Sequence, residues 1–443
     1  MTNKSGQLYA WYVVGILTLA YTLSFIDRQI LNLLVDPIRQ DLQISDTQIS
    51  LLQGLAFAIF YSVLGVPIAR LADHKNRRNI IAVGIFLWCL MTAVCGLARN
   101  FIQLFIARIG VGIGEAALSP PAYSIIADYF PPERLARATG TYSMGVYSGA
   151  GIAMLVGGAA VEAIGQLDIS GLPFLSGLRP WQLIFIIVGL PGLLVAALMF
   201  TVREPKRQHL ATDTGTNSAI PVREVLNFLK QEGRTFASIF IGFSFLGIVM
   251  IGFLSWTPTF FIRLHQWSAG DVGFNYGLIL LVFGTSGAVA GGWIADLMHS
   301  RGVKNAPIKT SILVSAIALP FAIAMPLVSN DTLSLIMLAP TTFLLSSPVG
   351  LSAAAIQTIT PSAMRAQVTA LYLLVVALMG TGFGPMAVAL CTDFIFADDQ
   401  AVGYSLALTS LVLIPLGVIC LYLGLTPNKK GITLKAIPEI SHG

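Results

Sequence analysis

The sequence predicts an all-α membrane protein: twelve transmembrane helices in two six-helix bundles, with both termini in the cytoplasm. Three observations carry this. Of 443 residues, 55% are hydrophobic and only 11% are Asp, Glu, Lys or Arg, against roughly 25% charged in a soluble domain. Apolar stretches recur at close to the ~20 residues that a helix needs to cross a bilayer. The Lys and Arg between them gather on alternate sides.

The stretches lie near 10–34, 48–71, 79–97, 101–127, 135–163, 180–202, 235–261, 272–297, 308–328, 332–359, 366–391 and 402–425. The first is too long for a signal peptide, ends without a small-residue cleavage site and contains Asp27-Arg28, so it stays in the chain. The second and third flank the polar loop from Arg70 to Arg78. The fourth carries Arg108 and Glu115, then Ser119-Pro120-Pro121, which predicts a kink and carbonyls freed toward the interior. The fifth has closely spaced small residues from Gly145 to Gly158, and the sixth runs into the longest polar segment. That segment ends with Val222, Val225, Leu226 and Leu229 on one helical face, predicting a short amphipathic helix at the inner membrane surface. The seventh bears Trp256, Phe260 and Phe261, and the eighth ends at Asp296. The ninth, tenth and twelfth are plainly apolar. The eleventh contains Gly380-Thr-Gly382-Phe-Gly384-Pro385, which predicts a bend. The expected division is 1–202 for one bundle, 203–234 for a linker and 235–443 for the other bundle with a short tail.

The net charge of +5 would suit a nucleic-acid binder if it were clustered, but its distribution is topological. With the amino terminus inside, the outer segments hold only Arg39, Arg99, Arg179 and Arg263. Apart from Arg28 and Arg108, the rest of the 26 Lys and Arg lie in inner segments. Cys89, Cys95, Cys391 and Cys420 lie in or at the ends of spans without metal-ligand or redox spacing and read as packing residues. No Ser/His/Asp set, metal cluster or Walker loop appears, and Gly110-Val-Gly112-Ile-Gly114 suits helix packing better than nucleotide binding. The chain does not read as an enzyme, and no cofactor is expected.

Asp27, Arg28, Arg108 and Glu115 are the exceptions to the apolar pattern. Ions in hydrocarbon are costly and usually face a watered cavity where they do the protein's work. Arg108 and Glu115 are seven residues apart, about 20° off one helical face and roughly 10 Å along the axis. Asp27 falls at the depth of Arg108 and can pair with it if the first and fourth spans adjoin. The charge of a carboxylate there depends on whether a guanidinium stands beside it, so Asp27 and Glu115 are the proton-coupling candidates. Arg28 and Arg108 are expected to alternate between these carboxylates and an anionic group on the solute. All five histidines fall in loops or tails and offer no competing relay. Ser119, Trp256 and Phe260 are further candidates for solute contact.

The two halves echo each other. Ala69-Arg-Leu-Ala-Asp73-His-Lys-Asn-Arg77-Arg78 follows the second stretch as Gly292-Trp-Ile-Ala-Asp296-Leu-Met-His-Ser-Arg301 follows the eighth. Pro132-Glu-Arg-Leu-Ala-Arg137 precedes the fifth as Pro361-Ser-Ala-Met-Arg365 precedes the eleventh. Such a repeat implies two bundles related by an axis along the membrane normal, with the solute path between them. Asp73, Arg77, Arg137, Asp296 and Arg365 are thereby the gating candidates.

With these loops the chain resembles the major facilitator superfamily. Phe25-Ile-Asp27-Arg28-Gln29, Gln53-Gly54, Arg108-Ile-Gly-Val-Gly-Ile-Gly114-Glu115-Ala116 and Trp256-Thr-Pro258-Thr-Phe260-Phe261-Ile-Arg263 look like its spinster-like branch, whose eukaryotic members export lysolipids and sphingoid phosphates. The resemblance implies the major facilitator fold, a bacterial member, and a role for Asp73 and Arg77 in locking the outward-facing state. Here Ala69 and Asn76 replace the motif glycines, His74 replaces its basic residue, and the fifth stretch lacks the antiporter proline.

A cavity charged on one wall and apolar on the other suits an amphipathic solute with an anionic or zwitterionic head. Sugars would ask for more amides than the few within spans, chiefly Gln29, Asn32, Gln53, Asn275 and Gln357. The sequence therefore reads as a monomeric, proton-coupled carrier of a small amphipathic organic solute, in contact with membrane lipids in a bacterial inner membrane. A proton symporter for a sugar acid is the alternative, and a non-transporting membrane sensor a more distant one.

Overall fold

The computed structural model describes residues 4–165, 177–205, 222–361 and 364–425, all of them in helices, turns or short connections. Twelve helical segments are long and apolar enough to cross a membrane: Gln7–Leu33, Asp46–Ala72, Arg77–Cys95, Phe101–Tyr129, Arg137–Gly165, Pro180–Thr201, Gly233–His265, Ala269–Ser300, Ala306–Leu327, Asp331–Ile359, Gln367–Phe396 and Asp399–Leu425. They are called the first to twelfth spans. The shortest has 19 residues, about 28 Å at the helical rise and close to the hydrocarbon thickness.

The span starts are set locally. Asn76, Asn100, Ser268 and Asn330 each accept a hydrogen bond from the backbone N–H three residues on, at 3.0, 2.9, 3.0 and 2.8 Å. Each satisfies a donor that a helix start leaves unpaired. The fourth span is interrupted after Glu115, turns at Ala116–Leu118 and resumes at Ser119 with its prolines in the first turn. The kink expected there is thus a break in the helix just beyond the buried carboxylate.

In the first half, the first span lies along the fifth, and the third packs on the fourth and sixth. In the second half, the seventh lies along the twelfth, and the ninth on the twelfth and tenth. The bundles meet where the fifth span packs on the eighth and the second on the eleventh. A side chain at Gly158 would lie 2.8 Å from the Cα of Gly273, and one at Gly273 equally close to the Cα of Gly158. Only hydrogen fits there. Short π-helical turns interrupt the second, eighth and eleventh spans at Leu51–Leu55, Leu280–Gly284 and Leu378–Gly382, all of them spans that cross the bundle interface. Such turns often mark functional positions.

Twelve traverses return both described ends, Lys4 and Leu425, to one face, called here the terminal face; the other is the distal face. The amphipathic helix forms over Val222–Gln231, with one correction to its orientation. Its covered face is Val225, Phe228 and Leu229, which join the core, with Phe228 edge-on to Phe236 at 5.4 Å; Leu226 is exposed. The helix is docked on the seventh and eleventh spans, because Phe228 completes an aromatic row that the apolar spacing alone did not include.

Candidate functional site

A cavity of about 330 Å³ lies between the bundles. Its wall from the second half includes a helical stripe of the seventh span, Phe243, Leu246, Met250, Ile251 and Leu254, together with residues of the eighth, tenth and eleventh spans. The first half supplies Arg28 and the amides Gln29, Asn32 and Gln53. The lining is mostly apolar, and its charged and amide groups all come from the first half, where Phe25 and Phe57 stand beside them.

Arg28 is the cation of that wall. Its guanidinium lies over the rings of Phe57, Phe25 and Tyr61, with centroids at 4.2, 4.9 and 5.1 Å. Rings in this position hold a cation with roughly 0.5–2 kcal/mol each while leaving its edge free to donate. That edge meets Glu115: Nε donates to Oε2 at 2.6 Å and Nη2 lies 2.5 Å from the same oxygen. Ser24 donates to Oε2 at 2.5 Å, whereas Glu115 Oε1 is buried without a partner. The Arg28 side chain is 18% exposed and that of Glu115 fully covered, so one member of the pair faces the cavity and the other is hidden behind it.

Asp27 and Arg108 lie deeper in the first bundle. Arg108 is fully buried and donates from Nε to the carbonyl of Leu52 at 3.3 Å and from Nη1 to the carbonyl of Asp27 at 3.2 Å, leaving Nη2 without a partner. It bridges the first, second and fourth spans through their backbones. The Asp27 carboxylate forms no ion pair with Arg108 among the described residues; it is directed toward Thr92 and Trp88, with Glu115 and Arg108 in electrostatic range. The equal depth expected of the two residues exists, but Arg108 meets the backbone of Asp27 and not its side chain.

Ser119 shares a hydrogen bond with Tyr142 at 3.2 Å, and Tyr142 stacks on Tyr21 with centroids 4.7 Å apart. It belongs to an aromatic cluster beyond Glu115. Trp256 is fully buried and donates to the carbonyl of Pro385 at 2.9 Å, and Phe260 packs edge-on against Phe261 at 5.1 Å. Neither is among the residues that line the cavity. The stripe 243, 246, 250, 254 was legible as helical spacing; the larger aromatic residues drew attention away from it.

Of the loop residues, Arg77 is buried and pairs with Asp128 at 2.5 Å and Glu204 at 2.7 Å, donating also to Ser124 at 2.8 Å. It joins the start of the third span to the end of the fourth and to the chain leaving the sixth. Arg137 is exposed, with its guanidinium 5.9 Å from the ring centre of Trp11. Asp296 is exposed, and Arg365 is exposed with Nε donating to the carbonyl of Thr360 at 3.4 Å. Asp73 falls in the helix Ala56–His74, but its side chain lies outside the described ones.

Sequence reasoning missed the polar cluster of the distal face. Arg263, at the end of the seventh span, donates to Asp36 at 2.9 and 2.7 Å and to both oxygens of Asp46 at 2.7 and 2.8 Å. Arg39 reaches Asp399 at 3.0 Å and Asp46 at 3.1 Å, and the backbone N–H of Thr47 donates to Asp393 at 2.7 Å. Among the described residues, all ion pairs that cross between bundles lie here. The signal was the acidic run Asp36, Asp41 and Asp46 in one short connection at the distal face. Asp46, Asp393 and Asp399 bring carboxylate oxygens within 4.8 Å of one another, but Arg39 and Arg263 already neutralise two of the three.

The Major Facilitator Superfamily model matches residues 17–385. An MFS-type efflux pump of Mycolicibacterium smegmatis is 27% identical over 98% of this chain and 97% of its own. A probable L-galactonate transporter of Escherichia coli is 25% identical over 67% of this chain and 63% of its own. Among solved structures, a bacterial homologue of the human lysosomal transporter Spinster, crystallised in an inward-facing, unoccupied conformation, is 31% identical over 94% of this chain and 96% of its own, with a TM-score of 0.77.

Proposed function

The chain belongs to the major facilitator superfamily of membrane transporters, and from that premise we propose that it is a proton-coupled carrier of an amphipathic organic anion or zwitterion, working by alternating access. One observation carries the reading: the cation that faces the cavity, Arg28, is also the partner of the hidden carboxylate Glu115. An anionic head entering the cavity competes for that guanidinium. Its arrival leaves Glu115 without a cation in a buried position, a cost of several kcal/mol that binding a proton removes. Solute and proton are thereby coupled through one side chain. Asp27, close enough to feel the charge of Glu115, is the second carboxylate of the relay, and Arg108 fixes the backbone on which both depend.

The apolar stripe of the seventh span and a resemblance to a Spinster homologue support a lysolipid-like solute. A sugar acid is the second reading, supported by the similarity to a probable L-galactonate transporter and by the three amides on the polar wall. We place the termini, the linker between 203 and 234 and the terminal face in the cytoplasm on the charge bias. The membrane is then a bacterial inner membrane and the working unit a monomer. Asp73, Arg77, Arg137, Asp296 and Arg365 all lie on the cytoplasmic side in this orientation, where they are proposed to steady the outward-facing state.

Counterflow in proteoliposomes tests the substrate class. Competition by lysolipids and not by sugar acids is the expected result; competition by sugar acids alone would replace the first reading with the second.

A further inference from the structure

The three amides of the polar wall form a chain whose direction is fixed. Asn32 donates from Nδ2 to the backbone carbonyl of Leu254, across the bundle interface, at 3.4 Å, and to Gln29 Oε1 at 2.6 Å. A carbonyl can only accept, so Asn32 presents its NH2 group there and turns its own oxygen toward the second span. Gln53 meets that oxygen with Nε2 at 3.0 Å. Reversing Gln53 would set two acceptors against each other. Its Oε1 is consequently left over, buried and without a partner, on a residue that is 9% exposed and lines the cavity. A buried amide oxygen in that condition is costly unless a donor reaches it.

The leftover acceptor stands in a defined relation to Arg28. Gln53 and Phe57 both line the cavity from the second span, and Phe57 is the ring under the Arg28 guanidinium. Asn32 is four residues after Arg28 on the first span. That spacing on the first span is one helical turn, about 6 Å along the axis, and Asn32 is the residue that Gln53 meets.

Resting on the transport reading above, we infer that Gln53 Oε1 is a second recognition point, and that the solute carries a hydrogen-bond donor, a hydroxyl or an ammonium, about one helical turn from its anionic group. Arg28 takes the anion, Gln53 takes the donor, and the stripe from Phe243 to Leu254 takes the apolar tail. A simple fatty acid or alkyl phosphate meets only two of these three demands. A hydroxylated or zwitterionic lysolipid head meets all of them. Because Asn32 also holds the Leu254 carbonyl of the other bundle, the same amides sense the head group and the approach of the two bundles.

Binding of lauroyl glycerol phosphate and of lauroyl propanediol phosphate, which differ by one hydroxyl, to the purified full-length protein tests this. The hydroxylated compound is expected to bind roughly ten-fold more tightly, the effect of one hydrogen bond to a buried acceptor. In Gln53→Met, which keeps the length of the side chain, the ratio of the two affinities should fall to near unity, whatever the affinity of the variant for the propanediol compound itself. Equal affinities for wild type, or a preference that survives Gln53→Met, would overturn the inference and leave the transport reading intact. Binding of neither compound would overturn both. Should Gln53→Met fail to fold, equal wild-type affinities still overturn the inference, and Gln53→Leu takes its place in the comparison.

Discussion

The Arg263 guanidinium and the Asp46 carboxylate, one from each bundle, form a two-point pair at the distal face, with Nη1 at 2.7 Å from Oδ2 and Nη2 at 2.8 Å from Oδ1. Asp46 has no exposed surface and Arg263 is 6% exposed. Asp36 holds the other edge of the guanidinium and Arg39 approaches Asp46 from the side. A planar fork between two carboxylates is a stronger and more oriented tie than an ammonium could make. In a carrier that opens alternately to its two sides, this tie has to be made and broken in each cycle.

Asp46→Asn should therefore shift the population toward conformations open at the distal face. Removing one partner of a buried pair costs about 3–5 kcal/mol, and Asp36, left in place, offsets part of it. The shift acts on the equilibrium between states and not on the affinity within a state. Spin-label distances between the distal ends of the first and seventh spans report it as a longer population. An unchanged distribution would show that the glycine packing of the fifth and eighth spans closes this face without the ion pairs.

Glu115→Gln and Asp27→Asn should each abolish solute accumulation driven by an imposed pH gradient while leaving counterflow at least partly intact. Each amide keeps the shape of its carboxyl and cannot titrate. Glu115→Gln also loosens Arg28, so its counterflow should show the tighter solute binding of a freed guanidinium; Asp27→Asn should not. Continued accumulation by both variants would sink the coupling assignment.

How much of this arrangement could be read from the chain divides by type of interaction. The spans were legible because crossing hydrocarbon is a one-dimensional demand on length and polarity. That Arg28 and Glu115 would turn away from lipid was legible because an ion facing hydrocarbon is costly. Their mutual pairing was not, since Asp27 and Arg108 satisfy the same depth argument; the choice is made by which side of the first span faces the fourth. The distal ion-pair cluster escaped because Asp36, Asp46 and Arg263 sit in segments where charge is ordinary, and only the fold brings them from 217 and 227 positions apart into contact. Trp256 was prominent as a large amphipathic side chain, yet its N–H found a carbonyl at Pro385 and drew the ring into the core.

Arg77→Ala should lower the thermal midpoint of the detergent-solubilised protein more than Arg78→Ala. Arg77 is 2% exposed and holds two carboxylates; its loss takes the buried guanidinium away from Asp128 and Glu204, with about 3 kcal/mol at stake for a largely buried pair. Arg78 donates chiefly to the neighbouring Asn79 side chain, at 3.0 and 2.9 Å, in water. Equal melting of the two variants would mean that the loop is held by other contacts, leaving Arg77 free for a gating role alone.

Arg28 separates structure from recognition in a way that two variants together can measure. Arg28→Ala leaves the buried Glu115 carboxylate with only Ser24, so the protein should lose stability as well as solute affinity. Adding Glu115→Gln removes the stranded charge, and the double variant should recover most of the lost thermal midpoint. Its solute affinity should not return, because the cavity still lacks its cation. Arg28→Lys should fall between wild type and Arg28→Ala in affinity, keeping the charge but losing the flat face that lies 4.2 Å above Phe57 and the fork that can hold two oxygens at once. Recovery of both stability and binding in the double variant would reduce Arg28 to a counter-ion of Glu115 and remove the anion site from the cavity.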